Sequence, residues 1–414
     1  LGSRSTALGY STLSSQNFTT ANSSNNTAVG YAAGNQVTTG LYNTLVGANT
    51  GDALTDADYN TATGALALSA DTLGSRSTAL GYSTLNAQNF TTATNAYNVA
   101  VGYQAGKSIT TGLVNTLVGS LAGDALTASS SNTAVGYSAL TTDTLGTASV
   151  AIGAYALQNQ NFTTSLASNN VAVGYYAGKE ITDGRYNVLV GPQAGDAING
   201  GDYNVAIGAD ALSAEVEGNV SIAIGYGALQ NQTNATSTTV ANIAIGYAAG
   251  NDITSGVRNN LIGTFAGDAL TTGNYNIANG YAALSSDVAG NTAVAIGYGT
   301  LVNQNFTTST SNYNVAIGYD AGGDLTTGTL NTIVGGLAGD ALTDSDYNVA
   351  VGYAALSTDT LGSRSVALGY ATLVNQNFTT ATDSYNTAVG TEAGNDITTG
   401  TGNTLLGGLV GDSL

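Results

Sequence analysis

The chain has 414 residues, including 56 glycines and one proline, but no cysteine, methionine, tryptophan or histidine. The absence of cysteine excludes disulfides and thiolate metal sites, and the absence of histidine removes the most common general base. A net charge of −19 opposes binding to nucleic acid and to anionic lipid. No run of 18 apolar residues occurs, so we expect no membrane insertion. The 43% hydrophobic residues still predict a buried core.

Positions 1–72 contain a pattern that the rest of the chain repeats. In chain order they read LGSRSTALGYSTL (1–13), QNFTT (16–20), NTAVGYAAG (26–34), NTLVGANTGDAL (43–54) and NTATGALAL (60–68). In each of the four NT- or ST-type segments, the glycine that directly follows TAL, TAV, TLV or TAT is called the landmark glycine; these are Gly9, Gly30, Gly47 and Gly64. A 21-residue interval is followed by three 17-residue intervals, and this order recurs as a 72-residue super-repeat up to Gly407, which gives 23 units. A fixed short period predicts a solenoid.

The residues before each landmark glycine predict a short β-strand. The positions one and three before it hold mostly Val, Ile, Leu or Thr, and the position between them holds Ala in 17 units and Leu or Ile in six. This alternation is typical of strands, and the recurring glycines oppose a helix. We therefore predict an all-β fold, a parallel β-solenoid or β-roll of 23 coils. Residues 1–414 would form a single continuous repeat rod.

In 17 of the 23 units an asparagine lies four residues before the landmark glycine. The other six units, whose landmark glycine is followed by a 21-residue interval, have Ser or Ala there. In a stack of coils, such an Asn can bond to the turn backbone and to its counterpart one coil along, and it tolerates a left-handed backbone. We predict a structural Asn ladder, whose first members are Asn26, Asn43, Asn60, Asn98, Asn115 and Asn132.

These repeats resemble two kinds of known protein. The pattern [NS]-x-A-[VI]-G followed by Ala is similar to the head repeats of trimeric autotransporter adhesins, which are left-handed parallel β-rolls of three chains. NTAVGYAAG and NTAVGYSAL (132–140) also resemble repeats of bacteriophage tail-fibre proteins. The coils here are longer than those of the adhesin heads, and no coiled-coil stalk or membrane-anchor barrel is visible. The resemblance implies a homotrimer in an extracellular location, either a virion appendage or a cell-surface filament.

Two interpretations of the Ala position remain open at the level of sequence. Small residues would let several chains approach closely, and the larger residues that replace Ala once in each 72-residue super-repeat would then form packing layers along a shared axis. Alternatively, they are larger inward residues within one chain. These exceptions are Leu45, Leu117, Leu189, Leu261, Ile333 and Leu405.

The four extra residues of each 21-residue unit fall in the QNFTT segment, which we expect to form an exposed loop. The loops contain N-x-[ST] sequons, so the candidate glycosylation sites are Asn17, Asn89, Asn161, Asn234, Asn305 and Asn377. The competing interpretation is ordinary turn chemistry with a buried Phe.

A second series, GDAL and its relatives, places acids at Asp52, Asp124, Asp196, Asp268, Asp340 and Asp412. Acidic turns can bind Ca²⁺, but the GGxGxD nonapeptide of calcium β-rolls is absent. We therefore favour turn capping and expect no metal and no cofactor. Tyr follows the landmark glycine in 13 units and could form an aromatic strip that contacts glycans or covers the coil edges.

The acids and hydroxyls recur identically from copy to copy, with no unique cluster that would indicate an active site, so we do not expect an enzyme. We predict a structural shaft of an extracellular fibre, a stiff spacer that presents a receptor-binding tip. The alternative is a glycan-binding adhesive module that uses the loops of the 21-residue units on a cell surface. Because both ends fall inside the repeat, we expect a fragment of a longer fibre or a unit that polymerises end to end.

Overall fold

The computed structural model describes residues 2–411, which divide into two compact units, Leu1–Asn204 and Val205–Leu414. The strands of the N-terminal unit are β1 (Gly2–Ser3), β2 (Thr6–Leu8), β3 (Asn22–Ser23), β4 (Thr27–Val29), β5 (Thr44–Val46), β6 (Thr61–Thr63), β7 (Gly74–Ser75), β8 (Thr78–Leu80), β9 (Thr94–Asn95), β10 (Val99–Val101), β11 (Thr116–Val118), β12 (Thr133–Val135), β13 (Gly146–Thr147), β14 (Val150–Ile152), β15 (Leu166–Ala167), β16 (Val171–Val173) and β17 (Val188–Val190).

The strands of the C-terminal unit are β18 (Val205–Ile207), β19 (Gly218–Asn219), β20 (Ile222–Ile224), β21 (Thr238–Thr239), β22 (Ile243–Ile245), β23 (Asn260–Ile262), β24 (Ile277–Asn279), β25 (Gly290–Asn291), β26 (Val294–Ile296), β27 (Thr310–Ser311), β28 (Val315–Ile317), β29 (Thr332–Val334), β30 (Val349–Val351), β31 (Gly362–Ser363), β32 (Val366–Leu368), β33 (Thr382–Asp383), β34 (Thr387–Val389) and β35 (Thr404–Leu406). Residues 2–411 contain no α-helix, and therefore none long and apolar enough to cross a bilayer.

Each unit is a parallel β-solenoid, as the repeat predicts. Every three-residue strand is the one before a landmark glycine, and within a unit it pairs in parallel with the corresponding strands of the coils before and after it. Between β4 and β5, for example, Ala28 lies opposite Leu45. The two-residue strands form separate short pairs across the 21-residue coils, such as β7 with β9 and β25 with β27. The fold is thus all-β.

The turns between strands are also bonded from coil to coil. The Gly34 N–H donates to the Thr50 carbonyl at 3.0 Å, one coil ahead, and the Tyr42 N–H donates to the Ser24 carbonyl at 2.8 Å, one coil behind. Buried backbone groups need such partners because an unbonded one costs stability. Most of each coil is therefore held by its neighbours and not by bonds within itself, so a single coil lacks the partners that it needs to fold.

Four positions of every coil have a positive φ angle within the described chain: the landmark glycine and the residues five before, two after and four after it. The landmark glycine needs to be glycine for a second reason, since a Cβ on Gly119 would overlap the carbonyl oxygen of Gly136. The ladder Asn does not itself adopt the left-handed backbone that it tolerates. The left-handed residue is the one directly before it, such as Tyr42 before Asn43.

The core explains why larger residues replace Ala once in each 72-residue super-repeat. Leu45 is fully buried within its own chain, and its two methyl groups occupy the space where a Cβ on Gly34 or Gly51 would fall, at 2.8 and 2.9 Å. In the next two coils the large and the small residue change places. Leu68 and Leu85 stand at the positions equivalent to Gly34 and Gly51, and Ala occupies the centre of the strand. The volume filled thus stays nearly constant, which close packing requires.

This packing decides between the two interpretations of the Ala position. The central Ala or Leu of each three-residue strand points into the coil, and from β4 to β34 it is fully buried by its own chain. It is therefore not accessible to a second chain, and the interpretation of the Leu and Ile exceptions as layers along a shared axis is wrong. They are inward residues of one solenoid.

Candidate functional site

The ladder asparagines line a buried corner of each coil and bond in two directions. The Asn43 side chain donates from Nδ2 to the Ala57 carbonyl at 2.7 Å, and its Oδ1 accepts the N–H of Asn60, one coil ahead, at 2.9 Å. The same pair of bonds recurs at Asn26, Asn60, Asn98, Asn115 and Asn132. Each Asn is at most 1% exposed, so these side chains satisfy backbone groups that water cannot reach.

A second buried polar group, not anticipated from the sequence, joins five of the six long coils to the coil before them. Asp71 is fully buried, and its Oδ1 accepts the N–H groups of Gly74 and Phe90 at 3.0 and 3.1 Å. Its Oδ2 accepts the Gln88 amide at 2.6 Å, and Oε1 of Gln88 accepts Asn98 Nδ2 at 2.9 Å. We call this arrangement the Asp–Gln cluster. Its copies are Asp143 with Gln160, Glu215 with Gln232, Asp287 with Gln304, and Asp359 with Gln376.

The carboxyl groups of these clusters are buried without a cation. Burial raises the pKa of Asp71 above its ordinary value, and the hydrogen bonds from Gln88, Phe90 and Gly74 oppose that shift. The same directions hold for the pKa values of Asp143 and Asp359. The cluster holds the start of the QNFTT loop in place, because the Phe N–H is one of its donors. Its role is thus structural.

The QNFTT loops have the geometry that a buried Phe predicts. Phe90 and Phe162 are 6% and 4% exposed, whereas Asn89 and Asn161 beside them are exposed. Among the candidate glycosylation sites Asn17 and Asn305 are also exposed, and Asn377 and Asn234 are half-buried. At Asn234 the amide nitrogen that would carry a glycan donates to Oε2 of Glu215 at 2.9 Å. Glycosylation at all six sites stays a prediction.

The GDAL aspartates lie half-buried at a turn. Burial raises the pKa of Asp268 and Asp340 to about 6 and also raises that of Asp52. In the part of the chain that the structure describes, no group of three or more acidic side chains could hold a metal ion. Asp58, six residues after Asp52, bonds instead to the coil before it, since its Oδ1 accepts the Leu41 N–H at 2.7 Å. Asp412 lies outside the described residues.

The tyrosines form exposed rows along each unit. After the landmark glycine, Tyr281 stacks on Tyr298 with ring centroids 5.1 Å apart, and Tyr298 stacks on Tyr319 at 5.3 Å. A second row lies five residues before the landmark, where Tyr186 and Tyr203 stack at 4.9 Å. These rings are about half exposed, so they cover the coil edges. Contact with glycans stays a prediction.

The outward face of the long parallel sheet carries no charge. We call it the sheet face, and it consists of the first and third residues of the three-residue strands, β2 to β17 in one unit and β18 to β35 in the other. All of these residues are Thr, Val, Ile, Leu or Asn. They are partly exposed, and Ile152 and Ile317 are 38% and 37% exposed. The chain's acidic residues therefore lie elsewhere on its surface.

The N-terminal unit has a groove of about 530 Å³ that is lined in part by one QNFTT loop. The groove is lined by Asn161, Phe162, Thr163, Thr164, Leu166, Thr182, Asp183, Arg185, Gly200 and Asp202. The Arg185 N–H donates to Asp202 Oδ1 at 2.7 Å, while the guanidinium Nη2 lies 3.6 Å from Oδ2. A volume of this size is within the range of small-molecule sites.

Three residues of this groove depart from the repeat. Arg185 stands where the other copies have Leu41, Leu113, Val257, Thr329 and Thr401. Asp183 replaces a Thr or Ser, and Gly200 replaces side chains such as Asp56 and Asp344. The interpretation that no cluster is unique in this chain is therefore wrong. Comparing the six copies position by position would have found Arg185.

Comparison with protein-family models gives no match, and searches of curated proteins and of solved structures give none either.

Proposed function

We propose that this chain is a structural segment of an extracellular fibre, a stiff shaft of the kind found in virion appendages or cell-surface filaments. The observation that carries the proposal is the bonding between coils. In each unit the strands, the turns and the buried Asn ladder all bond from one coil to the next. Backbone groups engaged in this way open only when several bonds break together, so the array resists bending and proteolysis.

The fibre in this proposal forms by association of identical chains, in the trimeric arrangement that the resemblance to adhesin heads implies. Copies with a net charge of −19 repel one another wherever their acidic surfaces meet. The sheet face offers an uncharged, partly apolar surface, and burying its Val and Ile side chains against a second copy is favourable. In this proposal the sheet face, and not the Ala position, forms the contact between chains.

Three measurements on the full chain test the proposal. Light scattering coupled to size-exclusion chromatography should give a mass of three chains, about 123 kDa from a chain mass of 41.0 kDa. Negative-stain electron microscopy should show elongated particles, and trypsin should leave them intact while cleaving the denatured chain. A monodisperse globular monomer that trypsin digests rapidly would contradict the proposal. Val118→Asp and Val135→Asp together place charges on the sheet face and should shift the mass to that of one chain.

A further inference from the structure

We propose that the groove around Arg185 is a binding site for a neutral saccharide. The proposal goes beyond the shaft function, since it assigns a ligand to one place on the fibre.

The polar groups of the groove supply both donors and acceptors. Arg185 brings a guanidinium whose side chain is 38% exposed, and Asp202 lies beside it with a side chain that is 26% exposed. Thr163 and Thr164 of the QNFTT loop also line the groove, and both residues are exposed. A sugar hydroxyl donates one hydrogen bond and accepts others, so paired guanidinium and carboxylate groups suit it.

The groove also offers apolar surface for a sugar ring. Leu166 is 44% exposed within it. The Arg185 guanidinium lies 5.9 Å from the ring centroid of Tyr186, which in turn stacks on Tyr203. An exposed pair of parallel rings beside polar groups presents the apolar and polar surfaces that amphipathic ligands require.

The charge of the groove argues for a neutral ligand. The residues that line the groove include two carboxylates, Asp183 and Asp202, and one guanidinium, that of Arg185, so the lining carries a formal net charge of −1. It belongs to a chain of net charge −19. An acidic sugar would be repelled by this surface, and an amine would lie against Arg185. A neutral polyhydroxyl ligand avoids both penalties.

The same position elsewhere in the chain cannot form this site. Gly200 carries no side chain where the corresponding residues are Asp56, Ala128, Thr272 and Asp344, and only Arg185 among the six copies supplies a cation at its position. The groove is therefore specific to the third 72-residue copy.

The test uses the full chain and saturation-transfer-difference NMR with maltose, cellobiose, lactose and chitobiose, and with 3′-sialyllactose as the charged comparison. We expect signals from at least one neutral disaccharide, with a Kd in the millimolar range that is usual for open grooves. Arg185→Leu and Gly200→Asp each restore a residue that other copies contain at that position, so both variants should fold. Each should weaken binding about tenfold or more.

Val257→Leu is the control, because it places the same residue at the equivalent position of a copy that has no arginine there, and it should leave binding unchanged. Three results would overturn the assignment: no signal from any neutral disaccharide, a signal that survives both Arg185→Leu and Gly200→Asp, or binding of sialyllactose alone. None of these results bears on particle shape or chain number, so the shaft proposal is judged separately.

Discussion

Replacing one ladder asparagine tests what holds successive coils together. Asn115 is fully buried, its Nδ2 donates to the Ser129 carbonyl at 2.9 Å, and its Oδ1 accepts the Asn132 N–H at 3.0 Å. Asn115→Ala leaves both backbone groups buried without these partners. Each such group costs about 1–3 kcal/mol, so the variant should lose about 2–6 kcal/mol of unfolding free energy.

Ser77→Ala is the control for this substitution. Ser77 holds the equivalent position in a long coil and is 1% exposed, and Ala293 already occupies that position in a later copy. The Ser77 hydroxyl accepts the Gln88 Nε2 at 3.0 Å, so the substitution leaves one buried donor short of a partner instead of two backbone groups and should cost about half as much, about 1–3 kcal/mol. Guanidinium unfolding followed by far-UV circular dichroism compares the two variants, and hydrogen exchange reports the Asn132 amide directly. The reasoning is refuted if Asn115→Ala is no less stable than Ser77→Ala, or if the Asn132 amide keeps its protection.

Three other outcomes are expected. Burial raises the pKa of several aspartates, to about 6 for Asp268, so the folded state binds protons more tightly than the unfolded state. The stability that results from this difference is complete below about pH 4 and is lost as the pH rises through about 6. The Tm should therefore be higher at about pH 5 than at about pH 7.5. A lower Tm at pH 5 would contradict this. Gly119→Ala should prevent folding of its coils because the new Cβ meets backbone, whereas Gly402→Ala, at a positive φ of 70° with no atom within 4 Å, should cost only about 1 kcal/mol. If thermal melts showed the same decrease in Tm for Gly119→Ala and Gly402→Ala, the close approach of neighbouring coils at Gly119 would be contradicted. Leu117→Ala should cost about 3–5 kcal/mol, because Leu117 is fully buried and its methyl groups fill the space between Gly106 and Gly123. A loss below about 1 kcal/mol in guanidinium unfolding would contradict this packing.

The period, the strands and the buried Asn position could be predicted from the sequence, because each is a pattern that recurs in most coils. Which side of the strand faces the interior, the side with Ala or the side with its neighbours, could not be predicted from the sequence. Alternation shows that Ala and its flanking residues face opposite sides, but small size is equally suited to a tight core and to contact between chains. Only the fit of Leu45 against Gly34 and Gly51 shows which side is the interior.

The Asp–Gln cluster was not predicted from the sequence for a different reason. Asp71 and Gln88 lie one coil apart, and both stand seven residues after a landmark glycine, where the other coils have Val, Ile or Leu. A polar residue at a position that is otherwise aliphatic was the available signal. The left-handed residues could not be predicted because Tyr, Arg, Ala and Val all occupy them, and stacking overrides their local preference.

Electron cryo-microscopy of the purified full chain tests the central claim most directly. The account predicts, in each unit, strands stacked about 4.8 Å apart with ladder side chains such as Asn98 and Asn115 directly above one another. A map with helices, or with strands that pair antiparallel as hairpins, would contradict it.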